Sequence, residues 1–177
     1  MNVIAQSIAA AAIVATTHGA LAFDVPKGWR LPTRDEIAVD RSRQESSNGF
    51  TQAKADLNGD GVEDLAFVLK STRFNGEGLW VYLSNGSAFN WVKLNETRWS
   101  GDGSGAILAM GISVEKPGVI AYACFDGAKV CAFGDRAERP KLKLIDPAIN
   151  YFKMESAASI FFWSRTHKKF MRIWISD

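Results

Sequence analysis

Asp56-Leu57-Asn58-Gly59-Asp60-Gly61-Val62-Glu63-Asp64 runs directly into Leu65-Ala66-Phe67-Val68-Leu69. In the first half, oxygen-bearing side chains alternate at Asp56, Asn58 and Asp60, and Asp64 follows. Hard cations such as calcium take six to eight oxygen ligands on a tightly curled backbone. This spacing offers side-chain oxygens from Asp56, Asn58, Asp60 and Asp64 and a main-chain carbonyl from Val62. Gly61 permits a sharp turn after the third ligand. Three carboxylates held this close repel one another, so the pattern argues for a bound calcium ion. The competing reading is an Asn/Asp/Gly-rich turn that holds no ion.

The second half decides the fold class. An EF-hand carries a bidentate Glu at its twelfth loop position. Here that position is Phe67, within an apolar run that reads as a buried strand rather than a helix. The loop therefore sits at a strand corner. Working outward, Phe50–Ala55 leads into the loop, and Leu79–Leu83 and Phe89–Leu94 read as strands. Asn85-Gly86 between them reads as a type I′ hairpin turn, whose two central residues need positive φ. Further strands are expected at Ile107–Ile112, Gly118–Cys124 and Lys141–Ile145, with a turn or short helical piece at Pro147–Asn150. A final hairpin pairs Ser159–Trp163 with Phe170–Ile175. Upstream, Thr33 and Glu36 form a capping-box pattern at the start of a short helix, and Asp40–Asn48 reads as a loop. The expectation is a mostly β (α+β), single-domain antiparallel sheet, with one or two short helices and the calcium-type loop at a corner.

The chain has 177 residues, a length that suits one domain. Ile8–Ala15 is an unbroken apolar stretch, and Ala20-Leu21-Ala22 fits the small-x-small rule for cleavage of an export signal. Residues 1–22 are thus expected to be a signal peptide and 23–177 the mature domain, periplasmic or secreted. No Lys or Arg precedes the apolar run. No stretch is long enough for a comfortable membrane span. In an oxidising compartment, Cys124 and Cys131 are expected to close one disulfide across a short loop. Two free buried thiols are the alternative. The Cys spacing makes a poor zinc motif. The net charge of +2 is too small to imply a nucleic-acid partner. The basic group Arg165, His167, Lys168, Lys169 and Arg172 reads as a solvated hairpin face. The six Trp are spread along the chain, as packing of core and sheet would require.

Catalytic sets are hard to assemble. The single histidine after residue 22, His167, lies beside two lysines in an expected turn, a poor place for an aligned general base. Asp35 with Glu36 belongs to a helix start, and Glu63 with Asp64 belongs to the metal loop. No enzyme is expected, and a small carboxylate-dependent hydrolase is the minority reading.

The loop resembles the calcium loop of FG-GAP or VCBS-type repeats, D-x-[DN]-x-D-G-x-x-D followed by an apolar strand. Propellers built from such repeats need several units of about 40–50 residues, and only one good copy is present; Gly101–Gly105 is too poor a second. More widely, four features resemble a group of small exported bacterial proteins with a lone calcium-type repeat and no assigned activity. They are Pro26-Lys27-Gly28-Trp29-Arg30-Leu31-Pro32-Thr33, the single loop, the cysteine pair, and the ending Arg172-Ile173-Trp174-Ile175-Ser176-Asp177. In size and export the chain is also similar to periplasmic immunity proteins that neutralise type VI secretion phospholipases. The missing catalytic set, beside a metal staple, a disulfide and many aromatics that hold a surface in one shape, points to a non-catalytic, calcium-stabilised binding protein for another protein; the resemblance implies a secreted toxin as that partner. A calcium-stabilised structural or envelope-stress module without a dedicated partner is the alternative. Interface anchors are expected near Gly101–Gly105 or on the final hairpin.

Overall fold

The computed structural model describes residues 24–100, 108–134, 138–154 and 156–176. The expected signal segment 1–22, the Gly101–Gly105 loop, Ile107 and Asp177 lie outside the described residues. The fold is mostly β, and every strand pairing is antiparallel. The first sheet is built on β3 (Asp64–Ser71), which pairs with β1 (Trp29–Arg30), β2 (Gln52–Ala55) and β4 (Gly76–Ser84); β4 also pairs with the edge strand β5 (Phe89–Arg98). The second sheet runs β6 (Met110–Glu115), β10 (Ala148–Lys153), β11 (Ala158–Ser164), β12 (Lys169–Ser176) and β8 (Cys124–Phe125). A two-stranded ribbon joins β7 (Gly118–Ala121) to β9 (Lys141–Leu144).

The continuous apolar character of Leu65–Leu69 has a direct cause: β3 is covered on both faces. Ala66 and Val68 enter a core shared with Ile112, Ile149, Tyr151 and Phe161 of the second sheet. Phe67 and Leu69 turn the other way and pack with Trp29. Trp80 and Trp91 join them, with Trp29–Trp80 and Trp80–Trp91 ring centroids 5.5 and 6.4 Å apart. Half of the tryptophans that look scattered in sequence therefore form one cluster. A third apolar group, Ala148, Ile160 and Ile173 with Leu144, binds the β7–β9 ribbon to the second sheet.

Two interior charges tie the sheets together. Glu77 is fully buried, 3.7 Å from the Lys70 ammonium, and its carboxylate accepts from the amides of Ala109 and Met110. Arg43, 1 % exposed, donates to the carbonyls of Leu108 and Met110 and of Gly49. The strand leading into β6 is therefore gripped by an anion through its amides and by a cation through its carbonyls. Both charges are hydrogen-bonded, which is the condition for burying them at all, although the buried Arg43 Nε has no partner of its own.

Thr33 and Glu36 form the expected capping box on α1 (Arg34–Ala38), and Asp40 caps a 3-10 turn over Arg41–Glu45 within the expected loop. Three expectations are corrected. Pro147–Asn150 is neither turn nor helical: Ala148–Lys153 is a strand flanked by β6 and β11. Ile149, Tyr151 and Phe152 suit a pleated surface, pairing on both sides completes it, and Pro147 precedes the ladder, so its missing N–H costs nothing there. Gly118–Cys124 is not one strand but two, β7 and β8, which join different sheets. The Asn85-Gly86 hairpin turns one residue later than expected. Asn85 and Ala88 close it, positive φ is confined to Gly86, and Ser87 is its second central residue, the pattern of a II′ rather than a I′ turn.

Candidate functional site

Residues 56–63 connect β2 to β3, since Ala55 pairs with Asp64. The loop is therefore the turn of a hairpin, curled through Gly59 and Gly61 at φ +72° and +85°. Its side-chain oxygens point into the curl. Asp56 accepts from the amides of Gly59, Asp60 and Gly61 at 2.8–3.1 Å. Asn58 Oδ1 accepts from the Asp60 amide, and Asp60 accepts from the Val62 amide at 2.8 Å. That last bond holds the Asp60 carboxyl below its usual pKa. Asn58 Nδ2 also donates to the Ser84 carbonyl.

Asp64 differs from the others. It is 0 % exposed, and its two oxygens accept from the Leu57 and Ser84 amides at 2.8 and 2.7 Å. Burial pushes its pKa up, the two amides oppose that shift, and the Asp60 and Asp56 charges add to it. Asp64 thus anchors the loop to the end of β4, while Asp56 and Asp60 lie nearby with more open carboxylates.

Sequence reasoning missed one member of this corner. Arg165, in the β11–β12 turn, pairs with Asp146, and the Asp56 charge further raises its pKa. A side chain at Gly59 would collide with that ion pair, at 2.8 Å from both Arg165 and Asp146. A guanidinium more than a hundred positions downstream carries no local sequence signal. The repulsion expected among the carboxylates is thus offset by backbone amides and by Arg165. Among the described residues, no three Asp, Glu, His or Cys side chains close a metal cage. A carboxylate offers about four lone-pair sites, so Asp56, Asn58 and Asp60 on the outer side retain acceptor capacity for a calcium ion. Asp64 and the Val62 carbonyl would complete such a set only from the inner side.

The second feature is a groove of about 470 Å³ between the sheets, bordered by β5 and by β12 with its preceding turn. Its apolar lining includes Leu83, Val92, Leu94, Phe161, Trp163 and Phe170. Phe161 belongs to the main core, and Leu83, Leu94 and Phe170 pack against it, so the groove wall is rigid. Lys168, Lys169 and Arg172 line it as well, with Asp126 as the acid. Lys168 and Lys169 are exposed and make no salt bridge among the described residues. Arg172 corrects the reading of a wholly solvated face. It is half-buried, its guanidinium lies 3.8 Å over Trp174 and 5.1 Å over Phe161, and it donates to Ser159 Oγ. Burial lowers its pKa, opposed by the Asp126 charge.

The disulfide Cys124–Cys131 is formed, with Cα atoms 4.9 Å apart. It clasps the segment after β8 on the sheet edge beside the groove, since Phe125 and Asp126 line the groove. The candidate acids and base are each placed elsewhere. His167 is exposed in the hairpin turn. Glu36 is held by Arg30 and Thr33. Glu63 pairs with Lys54 at 2.6 Å, while Asp64 faces the loop interior. Among the described residues no helix is long and apolar enough to cross a membrane. Compared with models of protein families, with curated proteins and with solved structures, the chain matches none.

Proposed function

We propose that this protein is a non-catalytic, exported binding protein that recognises another protein, with the Asp56–Asp64 loop as its calcium-stabilised corner. A periplasm-acting toxin such as a phospholipase, neutralised by an immunity protein, is the partner class that the resemblance implies. The observation that carries the reading is the groove between β5 and β12. It joins an apolar lining rooted in the core to Lys168 and Lys169, exposed cations that make no salt bridge among the described residues. Its walls are held by packing against the core and by the neighbouring disulfide. A surface fixed in advance loses less entropy on binding. Of the carboxylates nominated for a hydrolase, Glu36, Glu63 and Asp64 are engaged in a helix cap, an ion pair and the loop interior, and Asp35 is exposed in the first turn of α1.

One observation favours a purely structural corner. The loop satisfies its own carboxylates with six amides and has Arg165 beside it. The test is affinity capture of tagged residues 23–177 from the host envelope, in calcium and in EDTA. One stoichiometric protein partner, retained more strongly in calcium, is the expected result. Absence of any partner in both conditions would overturn the binding reading in favour of a structural module.

A further inference from the structure

The groove lies where both sheets present an unfinished edge. β5 pairs only with β4, so among the described residues its whole length is an edge. β12 pairs with β8 only through Ile173 and Trp174, which leaves Lys169–Met171 without a strand on that side. Edge strands present unpaired N–H and C=O groups at alternate residues, the template for adding an extended peptide. Exposed edges of this length also invite unwanted association unless something covers or guards them. The two edges flank an apolar channel, and Val92, Lys93 and Leu94 of β5 line it.

Charge selects the occupant. Lys168, Lys169 and Arg172 face Asp126 alone among the groove's ionisable side chains, because the Lys93 ammonium lies over Trp80 and is neutralised by Glu96 at 2.7 Å. The volume of about 470 Å³ falls within the range of small-ligand clefts, about 300–1,000 Å³. That holds a short run of side chains rather than a domain. An extended segment places alternate side chains on opposite faces. Apolar residues can then enter the channel while acidic ones meet the lysines at its rim.

We infer that the β5–β12 groove binds an acidic, extended segment projecting from the partner protein, by strand addition to the β5 edge; this rests on the binding-protein reading above. The occupant alternates apolar residues toward Val92, Leu94 and Trp163 with carboxylates toward Lys168 and Lys169. Strand addition contributes the affinity through main-chain hydrogen bonds, and the lysines contribute selection and encounter rate.

The test uses a blocked hexapeptide of alternating glutamate and valine, its lysine–valine counterpart, and dodecanoate as an anionic amphiphile. Each is titrated into isotopically labelled protein, and amide NMR shifts are followed. Saturable shifts confined to β5 and to Lys168–Arg172, from the acidic peptide alone, are expected. The Lys168→Glu/Lys169→Glu variant, altered only at two exposed positions, the last of the turn and the first of β12, should bind at least about fivefold more weakly. Raised salt should weaken wild-type binding in the same direction. Equal binding of both peptides, shifts centred elsewhere, or no saturation would overturn the assignment. Saturation by dodecanoate but not by the acidic peptide would overturn it in favour of an amphiphile site. Retention of the captured partner by the double variant as tightly as by wild type would also refute the groove while leaving the binding reading intact. Groove binding of the peptide with no partner captured would support the site and remove the proposed function.

Discussion

Replacing Glu36 by Gln separates charge from shape at the start of α1. The Glu36 carboxylate takes both Arg30 nitrogens, at 2.8 and 2.7 Å, and the Thr33 amide at 2.7 Å. Chiefly because of the Arg30 hydrogen bonds, its pKa falls from 4.5 to about 2. Since each pKa unit is worth about 1.4 kcal/mol, that shift corresponds to about 3.4 kcal/mol of pH-dependent stability at most. Glu36 is 10 % exposed, but Arg30 is 41 % exposed, so solvent screens the pair and about 1.5–2 kcal/mol is expected. The sign follows from the direction of the shift. A folded-state pKa below the unfolded one stabilises above pH 4.5 and is lost as pH falls from 4.5 toward 2. Glutamine keeps the length and can still accept from the Thr33 amide, so the helix cap survives. Urea unfolding of both proteins from pH 7 to pH 2 measures the effect. The gap between wild type and Glu36→Gln should be about 1.5–2 kcal/mol at pH 7, narrow through the acid range and vanish near the folded pKa. It should also shrink in high salt. A gap that does not change with pH, or one under about 0.3 kcal/mol at neutral pH, would refute the ion-pair reasoning.

Arg43→Met removes the donor to the Gly49, Leu108 and Met110 carbonyls and one of the positive charges acting on Glu77, leaving Lys70 at 3.7 Å as its compensating cation. Breaking one side of such a buried arrangement costs about 3–5 kcal/mol; denaturant unfolding reads it directly, and a loss below about 1 kcal/mol would show that Arg43 does not hold the sheets together. Asp60→Ala should lower thermal stability and calcium affinity together. With calcium at a hundred times its dissociation constant, wild type should gain about 2.7 kcal/mol, or about 5–10 °C for a domain of this size. Calorimetry that finds identical melting temperatures with and without calcium in both proteins would remove the metal claim.

The local features read correctly from sequence are those whose cause is local. Thr33 and Glu36 lie within one helical turn of each other, so their capping box needs nothing distant. The alternation of Asp56, Asn58 and Asp60 with glycine dictates a tight curl whatever lies around it. The apolar run Leu65–Leu69 announces a strand with no solvent-facing side. Cys124 and Cys131 are close enough in the chain to pair across a single loop. Other features depended on partners far away in the chain. Pro147 and Asn150 mark Ala148–Lys153 locally as a turn despite Ile149, Tyr151 and Phe152, and β6 and β11 on its two sides decide it as a strand. Gly118–Phe125 is split between two sheets by what lies beside each half. Arg165 reaches the Asp56 curl only because the final hairpin folds against the second sheet's Asp146 turn. The groove is the strongest case, since Val92 and Leu94 belong to one sheet and Phe161 and Phe170 to the other. Sequence alone determined the antiparallel β class, the curled acidic turn, the helix cap and the disulfide, because each arises from neighbours along the chain. Tertiary structure alone decided which edges stay open, which charges are buried and which lysines remain unpaired, because those depend on how two sheets pack over one core.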